Sequence, residues 1–183
     1  ERESPLNITL VQTVCASEKM DWIMQKAVEL GVSRIQPIAT SRGVVRLSGE
    51  RADKRVRHWQ QIAISACEQC GRNHLPQVLP LLSLPDWLGG QMSERKNSCH
   101  GAPYNLCFMF TPTAEKGLRD FPEATMVATL TLLVGPEGGF APEEEAAARA
   151  IGFMPLRLGA RILRTETAAL AAVAALQALW GDY

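Results

Sequence analysis

Hydrophobic positions along the chain follow two periods, one typical of strands and one typical of helices. Several short segments rich in branched and apolar residues are bounded by polar or turn residues, which predicts buried strands. The predicted strands cover residues 7–14, 34–39, 77–82, 104–110, 129–134 and 155–158. Because Pro37 lies inside the second of them, we expect that strand at a sheet edge or with a bulge.

Between these strands, apolar residues recur every three or four positions, which predicts helices. The predicted helices cover residues 17–30, 48–70, 84–88, 142–152 and 166–180. Ser48 and Thr165 are placed to cap two of them at the N-terminus. Gly31 and Gly71 suit the left-handed position after a final helical turn. Residues 91–103 are polar and irregular, which predicts a mobile loop.

Strands that alternate with helices are typical of an α/β fold, with a mainly parallel sheet covered by helices on both faces. The 183 residues are enough for one well-buried domain of this kind and short for two. Since no internal repeat or low-complexity linker divides the chain, residues 1–183 are predicted to form a single domain.

Composition narrows the class of protein. Apolar residues make up 46% and charged residues 21% of the chain, which is ordinary for a globular protein and argues against disordered and fibrous chains. Nineteen basic and nineteen acidic residues give a net charge of zero. Any contact with a nucleic acid must therefore rely on local basic patches.

The expected location follows from what the chain lacks. Residues 168–180 are the most apolar stretch, but Gln177 interrupts them and they are too short to cross a bilayer, so no membrane contact is expected. The first residues resemble neither a signal peptide nor a transit peptide and lack a start methionine, as in a fragment or processed product. Five cysteines form no even framework. A cytoplasmic protein with reduced thiols is therefore predicted.

A glycine-rich loop, residues 135–139 (GPEGG), directly follows a predicted buried strand. In open α/β sheets ligands bind at the carboxyl ends of strands, and glycines let backbone groups approach a ligand closely. This glycine loop matches neither the dinucleotide nor the P-loop pattern, and Glu137 with the glutamates at 143–145 would repel phosphates. A cofactor with a positive sulfonium would be tolerated. By itself the pattern fits a turn without a ligand equally well.

A second candidate segment, residues 158–168 (LGARILRTETA), leads into the last helix. Arg161 and Arg164 flank two apolar residues there. Such a pair at the carboxyl edge of a sheet could hold an anionic substrate or a developing negative charge; a surface ion pair with Glu166 is the alternative. The last helix is apolar nearly all round, which predicts burial within the domain or against a partner.

Together these motifs resemble one family. LLVGPEGGF followed by LGARILRTETA is similar to the signature of the bacterial small-subunit ribosomal RNA uridine N3-methyltransferases, in the SPOUT superfamily. The segments QKAVELGV (25–32) and ACEQCGR (66–72) fit as well. The resemblance implies a parallel sheet with a C-terminal trefoil knot, S-adenosylmethionine as cofactor, and a homodimer formed through the knot region and the last helix. Family members usually carry an N-terminal PUA-like β-barrel domain, which we expect to be absent from this chain.

The resemblance also implies the site residues. Three loops are expected to contact the cofactor, through Phe110, Thr111, Pro112, Val134, Gly135, Pro136, Glu137, Gly138, Gly139, Leu158, Gly159, Ile162, Leu163, Arg164, Thr167 and Ala168. Ribosomal RNA is expected to contact Arg42, Arg46, Glu68, Gln69, Arg72 and Arg161. Arg164 and Arg72 are candidates for stabilising a uridine anion, while Glu137 and Glu68 are weaker candidates for a base.

Other polar features favour simpler interpretations. Six basic residues between positions 42 and 57 form either a solvated face or, given the resemblance, a phosphate-contacting strip. Cys67 and Cys70 could be half of a zinc site with Cys99 and His100, but they lie within a predicted helix and the second pair has the wrong spacing, so no metal is predicted. The remaining histidines are not arranged with a nucleophile as in a hydrolase triad.

Two rival functions stay open at this point. One is a SPOUT methyltransferase that acts on transfer RNA or on a ribose 2′-hydroxyl. The other is an inactive RNA-binding module of the same fold.

Overall fold

A computed structural model describes residues 2–97, 104–121 and 127–183 of the chain. The elements, in chain order, are β1 (Asn7–Thr13), α1 (Ser17–Glu29), β2 (Arg34–Ala39), α2 (Gly49–Cys70), β3 (Gln77–Val78), β4 (Leu82–Ser83), α3 (Leu84–Asn97), β5 (Tyr104–Phe110), β6 (Val127–Val134), α4 (Pro142–Ala150), β7 (Met154–Leu156) and α5 (Thr165–Trp180). A 3₁₀ turn, Leu118–Asp120, lies between β5 and β6.

The strands form one sheet in the order β3-β2-β1-β6-β5-β7, with β4 also paired to β2. Every pairing is parallel, so all strands end at the same edge. We call this the carboxyl edge and the opposite one the amino edge. The predicted parallel α/β fold is confirmed.

Each face of the sheet has its own hydrophobic core. On one face, α1, α2 and α5 bury side chains such as Met20, Trp59 and Val173. On the other face, α3 and α4 bury a second cluster that includes Trp87 and Ala148. Helices therefore cover both faces, as the alternating pattern predicts. Within the described ranges, no helix is both long and apolar enough to span a membrane.

The position of β2 excludes one of the two expectations for Pro37, the edge strand, and leaves the bulge, since residues 36–37 of β2 face three residues, 79–81. Pro37 does not mark an edge strand, because β2 pairs with β1 on one side and with β3 and β4 on the other. The predicted single strand over residues 77–82 is instead two short strands. Their gap lies opposite Gln36 and Pro37, where the proline has no N–H to contribute to a ladder. The Gln36 side chain fills the gap by donating to the carbonyl oxygen of Pro80 at 2.8 Å.

Helix α3 is longer than predicted. It continues to Asn97, so the loop predicted for residues 91–103 is wrong over its first seven positions, and the other six lie outside the described residues. Gly89 and Gly90 lower helix propensity by about 1 kcal/mol each, which is why the sequence pattern ends early. Within the predicted part of the helix, Trp87 meets the Phe153 ring edge-on, with the ring centroids 5.9 Å apart.

Candidate functional site

Three loops at the carboxyl edge enclose a cleft with about 660 Å³ of empty space, a volume that includes the part open to solvent. One loop follows β5, the second is the glycine loop after β6, and the third joins β7 to α5. Apolar side chains such as Phe110, Leu158 and Ile162 form much of its wall. The cleft therefore offers apolar surface to a flat ring and backbone groups to a polar ligand.

The cleft brings together most of the residues expected to contact a cofactor. Those on its wall are Phe110, Thr111, Pro112, Val134, Gly135, Pro136, Glu137, Gly139, Leu158, Gly159, Ile162, Leu163 and Ala168. The predicted residues Gly138, Arg164 and Thr167 are not on it. Sequence reasoning missed Phe140, Leu156 and Thr165, and it placed Arg161 among RNA contacts rather than here.

Thr165 has a different role from the predicted one. The residue before α5 is Arg164, and no side-chain hydrogen bond caps the helix. The Thr165 hydroxyl instead donates to the carbonyl oxygen of Gly135 at 2.7 Å. The capping pattern in the sequence identifies the helix start correctly but assigns the hydroxyl to the wrong partner.

The glycine loop is held in place from several sides. The Thr13 hydroxyl donates to the carbonyl oxygen of Val134 at 3.0 Å. Within the loop, the Gly139 amide donates to the carbonyl oxygen of Pro136 at 2.9 Å, and Gly139 has a φ of 68°, a conformation that favours glycine. Arg42 donates to the carbonyl oxygens of Gly138 and Phe140, both at 3.2 Å. The loop therefore has a defined shape before any ligand binds.

Two carboxylates and one ammonium group lie beside the cleft. Lys19 Nζ is 3.2 Å from Glu137 and 3.5 Å from Glu166, and the hydrogen bond with Glu137 is the largest factor that raises the pKa of Lys19. Burial, with the charges of both glutamates, raises the pKa of the Cys15 thiol to about 12. That thiol stays protonated near neutral pH, so it is not a thiolate nucleophile.

The arginine pair is not neutralised by Glu166, which pairs with Lys19 instead. Arg161 and Arg164 are exposed, and within the described part of the chain neither guanidinium has an ion pair or a hydrogen bond. Arg161 lies on the wall of the cleft and Arg164 directly precedes α5. Both cations are therefore free to meet an anion at the mouth of the cleft.

Arg72 lies away from this site. Its guanidinium donates to the carbonyl oxygens of Val28 and Val32 and forms an ion pair with Glu3 at 2.8 Å, with the Arg72 side chain 6% exposed. These partners are at the amino edge, and six residues of parallel strand separate the two edges by about 20 Å. The catalytic role expected for Arg72 in this chain's own cleft is therefore not supported. Glu68 and Gln69, exposed at the end of α2, lie at the same far edge.

Glu3 is expected to make the stability of the fold depend on pH. Partial desolvation by itself would raise the pKa of Glu3, but hydrogen bonds from His74, Arg72 and Asn73 lower it below the ordinary 4.5. The carboxylate thus stabilises the fold above pH 4.5, and this contribution is lost as the pH falls through the folded-state pKa. Glu3→Gln should lower the free energy of unfolding at pH 7 by about 1 kcal/mol, measured by urea denaturation.

The same comparison at acidic pH tests whether the charge of Glu3 causes the difference in the free energy of unfolding. The difference between wild type and Glu3→Gln should shrink below pH 4.5, because the wild-type carboxyl is then also neutral. Glu115→Gln, at an exposed position, is the control and should change little at either pH. An equal offset at both pH values would show that the charge of Glu3 is not responsible.

Glu144 connects the glycine-loop region to the basic segment after β2. Its side chain is buried, at 8% exposure, and accepts hydrogen bonds from the Ser41 amide at 2.7 Å and the Ala141 amide at 2.9 Å. It therefore caps α4 and at the same time holds the start of the segment that carries Arg42 and Arg46. Arg46 in turn donates to the carbonyl oxygen of Ser41 at 3.1 Å. The two segments are fixed to one another.

Removing this carboxylate should destabilise the protein. Glu144→Ala leaves the amides of Ser41 and Ala141 without their side-chain acceptor, so we expect a loss of about 2 kcal/mol in the free energy of unfolding and a Tm lower by roughly 5 °C, measured by differential scanning calorimetry. Glu143→Ala is the matched control, since Glu143 is exposed in the same helical turn. Equal Tm changes in the two variants would contradict this role.

Within the described residues, no three His, Cys, Asp or Glu side chains are grouped to hold a metal ion. Cys15, Cys67 and Cys70 are free thiols. Cys99 and His100, weighed above as zinc ligands, lie outside the described residues. His58 pairs with Asp21 at 2.9 Å, between α1 and α2.

Known proteins resemble this chain over nearly its whole length. A ribosomal RNA small subunit methyltransferase E from Buchnera aphidicola subsp. Schizaphis graminum is 39% identical over 181 residues, which cover 98% of this chain and 68% of that protein. A crystal structure of the Neisseria gonorrhoeae ribosomal RNA small subunit methyltransferase E bound to S-adenosyl methionine is 43% identical, with a TM-score of 0.85, and the match covers 100% of this chain and 70% of that one.

A second solved structure, a methyltransferase from Legionella pneumophila in complex with the same cofactor, is 40% identical with a TM-score of 0.86, again over 100% of this chain and 70% of that one. The family model that describes the RNA methyltransferase domain matches residues 2–177. With its parallel sheet and its cleft at the carboxyl edge, this chain belongs to the RNA methyltransferase family.

Proposed function

We propose that this protein transfers a methyl group from S-adenosylmethionine to N3 of a uridine in the RNA of the small ribosomal subunit. The observation that carries the proposal is the cleft at the carboxyl edge, which unites the glycine loop with residues 158–168, the two motifs of the resemblance. The similar proteins from Buchnera and Neisseria, named for methylation of small-subunit ribosomal RNA, support the choice of substrate.

The cleft fits S-adenosylmethionine. Apolar side chains, including Leu156, Leu158 and Leu163, provide a surface for the adenine. The cluster of Lys19, Glu137 and Glu166 has a net negative charge, which suits a ligand with a sulfonium. When bound, S-adenosylmethionine supplies a methyl group on positively charged sulfur. The role of the protein is then to bind it, to exclude water and to present the uridine.

The RNA would approach over the basic segment beside the glycine loop. Arg42 and Arg46 are exposed there, and the first turns of α2 add the exposed Arg51, Lys54 and Arg57. This strip lies at the same edge as the cleft, because the segment that carries Arg42 follows the carboxyl end of β2 and leads into α2. Lysine and arginine side chains there would contact phosphates and position the RNA without reading its sequence.

The uridine must lose the N3 proton as the methyl group arrives, so negative charge develops on the base. Arg164 would stabilise that charge, with Arg161 beside it. Glu137 is the candidate to accept the proton. Its carboxylate is at the cleft and 3.2 Å from Lys19, so that Lys19 can hold it in position. In this assignment Arg72 does not contact the uridine bound at the cleft of its own chain.

Further features belong to the same proposal. The C-terminal part would form a trefoil knot, which is supported by the return of α5 from the edge strand β7 to pack against α1 and β6. A homodimer would form through the knot region and the last helix, where Leu179 is 48% exposed. Action on ribosomal subunits would place the protein in the cytoplasm.

Two measurements test the proposal. Calorimetric titration should show S-adenosylmethionine binding, and no binding at millimolar ligand would exclude the cofactor. Small ribosomal subunits from a strain that lacks the activity should then accept labelled methyl groups on a uridine base. Label recovered on transfer RNA or on a ribose would instead favour the related methyltransferases, and binding of RNA without any transfer would favour an inactive module.

A further inference from the structure

A chain of buried hydrogen bonds lies beneath the cleft and joins three distant parts of the sequence. Gln12, at the end of β1 and 0% exposed, donates from Nε2 to the Thr165 hydroxyl at 2.9 Å. Thr165, 4% exposed, donates that hydroxyl to the carbonyl oxygen of Gly135 at 2.7 Å. The direction is fixed, because an amide nitrogen only donates and a hydroxyl has a single proton.

The amide of Gln12 stabilises the core less than an apolar side chain at this position would. It lies on the face of β1 that buries Ile8 and Leu10, and its Oε1 has no hydrogen-bond partner among the described residues. Burying an unsatisfied amide oxygen destabilises a fold, whereas an apolar side chain of similar size would not. The benefit of the amide must therefore come from its nitrogen, which donates to Thr165 and to the carbonyl oxygen of Thr13.

We propose that Gln12 and Thr165 are positioning residues that hold the glycine loop in the shape that binds the methyl donor. This inference rests on the proposed function. Gly135 and Thr165 both line the cleft, so the bond between them joins two of its walls. Gln12 lies outside the cleft and acts through Thr165, whose hydroxyl it orients.

The loop is held at its start from both faces of the sheet. Neighbouring residues of a strand point to opposite faces, so Thr13 reaches the Val134 carbonyl from one side while Gln12 and Thr165 hold Gly135 from the other. Without the Thr165 hydroxyl, Gly135 could rotate and part of the population would lose the binding shape. The apparent affinity for a ligand is the intrinsic affinity multiplied by the fraction of molecules that keep the binding shape.

The experiment compares Thr165→Val, Thr165→Ser and Gln12→Leu by calorimetric titration with S-adenosylmethionine. Thr165→Val, which keeps the shape but not the hydroxyl, should weaken binding about tenfold if a tenth of the loops stay competent. Thr165→Ser restores the hydroxyl and should stay within about twofold of wild type. Gln12→Leu should weaken binding by a factor between those of Thr165→Ser and Thr165→Val. Gln36→Leu is the control, because Gln36 is also buried on a strand but lies away from the cleft.

Amide hydrogen exchange provides a second readout. In Thr165→Val the amides of the glycine loop should exchange faster, while those at the centres of β1 and β6 stay protected. If the wild type does not bind S-adenosylmethionine, the proposed function itself fails. If the wild type binds and the folded Thr165→Val binds equally well, the positioning role is wrong. If Thr165→Val does not fold, the test rests on Gln12→Leu. A loss of affinity for S-adenosylmethionine in Gln12→Leu that is no larger than the loss in Gln36→Leu would then overturn the inference.

Discussion

Gly135→Val is expected to abolish binding of S-adenosylmethionine, with an affinity loss of more than about 100-fold, or about 2.7 kcal/mol. A Cβ atom at position 135 would lie 3.0, 3.1 and 3.2 Å from three carbon atoms of the Phe140 ring. That ring is 5% exposed and belongs to the core between the sheet and α4, so it can yield only by disturbing closely packed neighbours. The two further methyl groups of valine add to the crowding within the cleft.

Alanine substitutions at Gly135 and Gly138 distinguish a steric clash of the new Cβ atom from an effect that any substitution in the loop would have on cofactor binding. At Gly138 a new Cβ would lie 3.6 Å from the Cβ of Arg42, an ordinary contact, and the φ of Gly138 is not positive. Gly138→Ala should therefore bind within about threefold of wild type, while Gly135→Ala should bind more weakly than Gly138→Ala. Calorimetric titration gives the affinities and circular dichroism checks folding. Equal affinities for Gly135→Val and wild type would show that the cofactor does not approach this position.

The cleft could be predicted from the sequence because its signals are local. The glycine spacing in residues 135–139 and the arginine spacing in residues 158–168 can be read from short stretches. The parallel order of strands then brings both stretches to one edge. Gly31 and Gly71 follow their helices with positive φ, as predicted. In each case, neighbouring residues along the chain determine the structure.

Contacts between residues distant in sequence could not be predicted. Arg72 lies next to the predicted RNA contacts Glu68 and Gln69 in the sequence, but its position depends on Glu3, 69 residues earlier. Gln12 and Thr165 are 153 residues apart, and no periodicity or spacing connects them. Buried polar pairs of this kind depend on the three-dimensional path of the chain, which is why the catalytic expectation for Arg72 and the capping expectation for Thr165 did not match the structure.

Arg164→Ala is expected to lower the turnover of RNA methylation by about 10²–10³-fold, the usual cost of removing one group that stabilises developing negative charge. Affinity for S-adenosylmethionine should change little, because Arg164 is not on the wall of the cleft and is exposed. Arg157→Ala is the matched control. Arg157 is also exposed on the segment that leads to the cleft, but it does not line it, so this variant should keep turnover within about threefold of wild type.

The pH dependence of turnover distinguishes a direct role of Arg164 from a structural one. A cation beside N3 favours the deprotonated base, so removing it raises the effective pKa of N3. The turnover of Arg164→Ala should consequently keep rising with pH until a higher pH than the one at which the wild-type turnover levels off. A loss of turnover that is equal at every pH would show that Arg164 shapes the site without contacting the charge. The lack of a protein partner for this guanidinium in the described residues makes direct contact the expected result, because its positive charge remains available to the substrate.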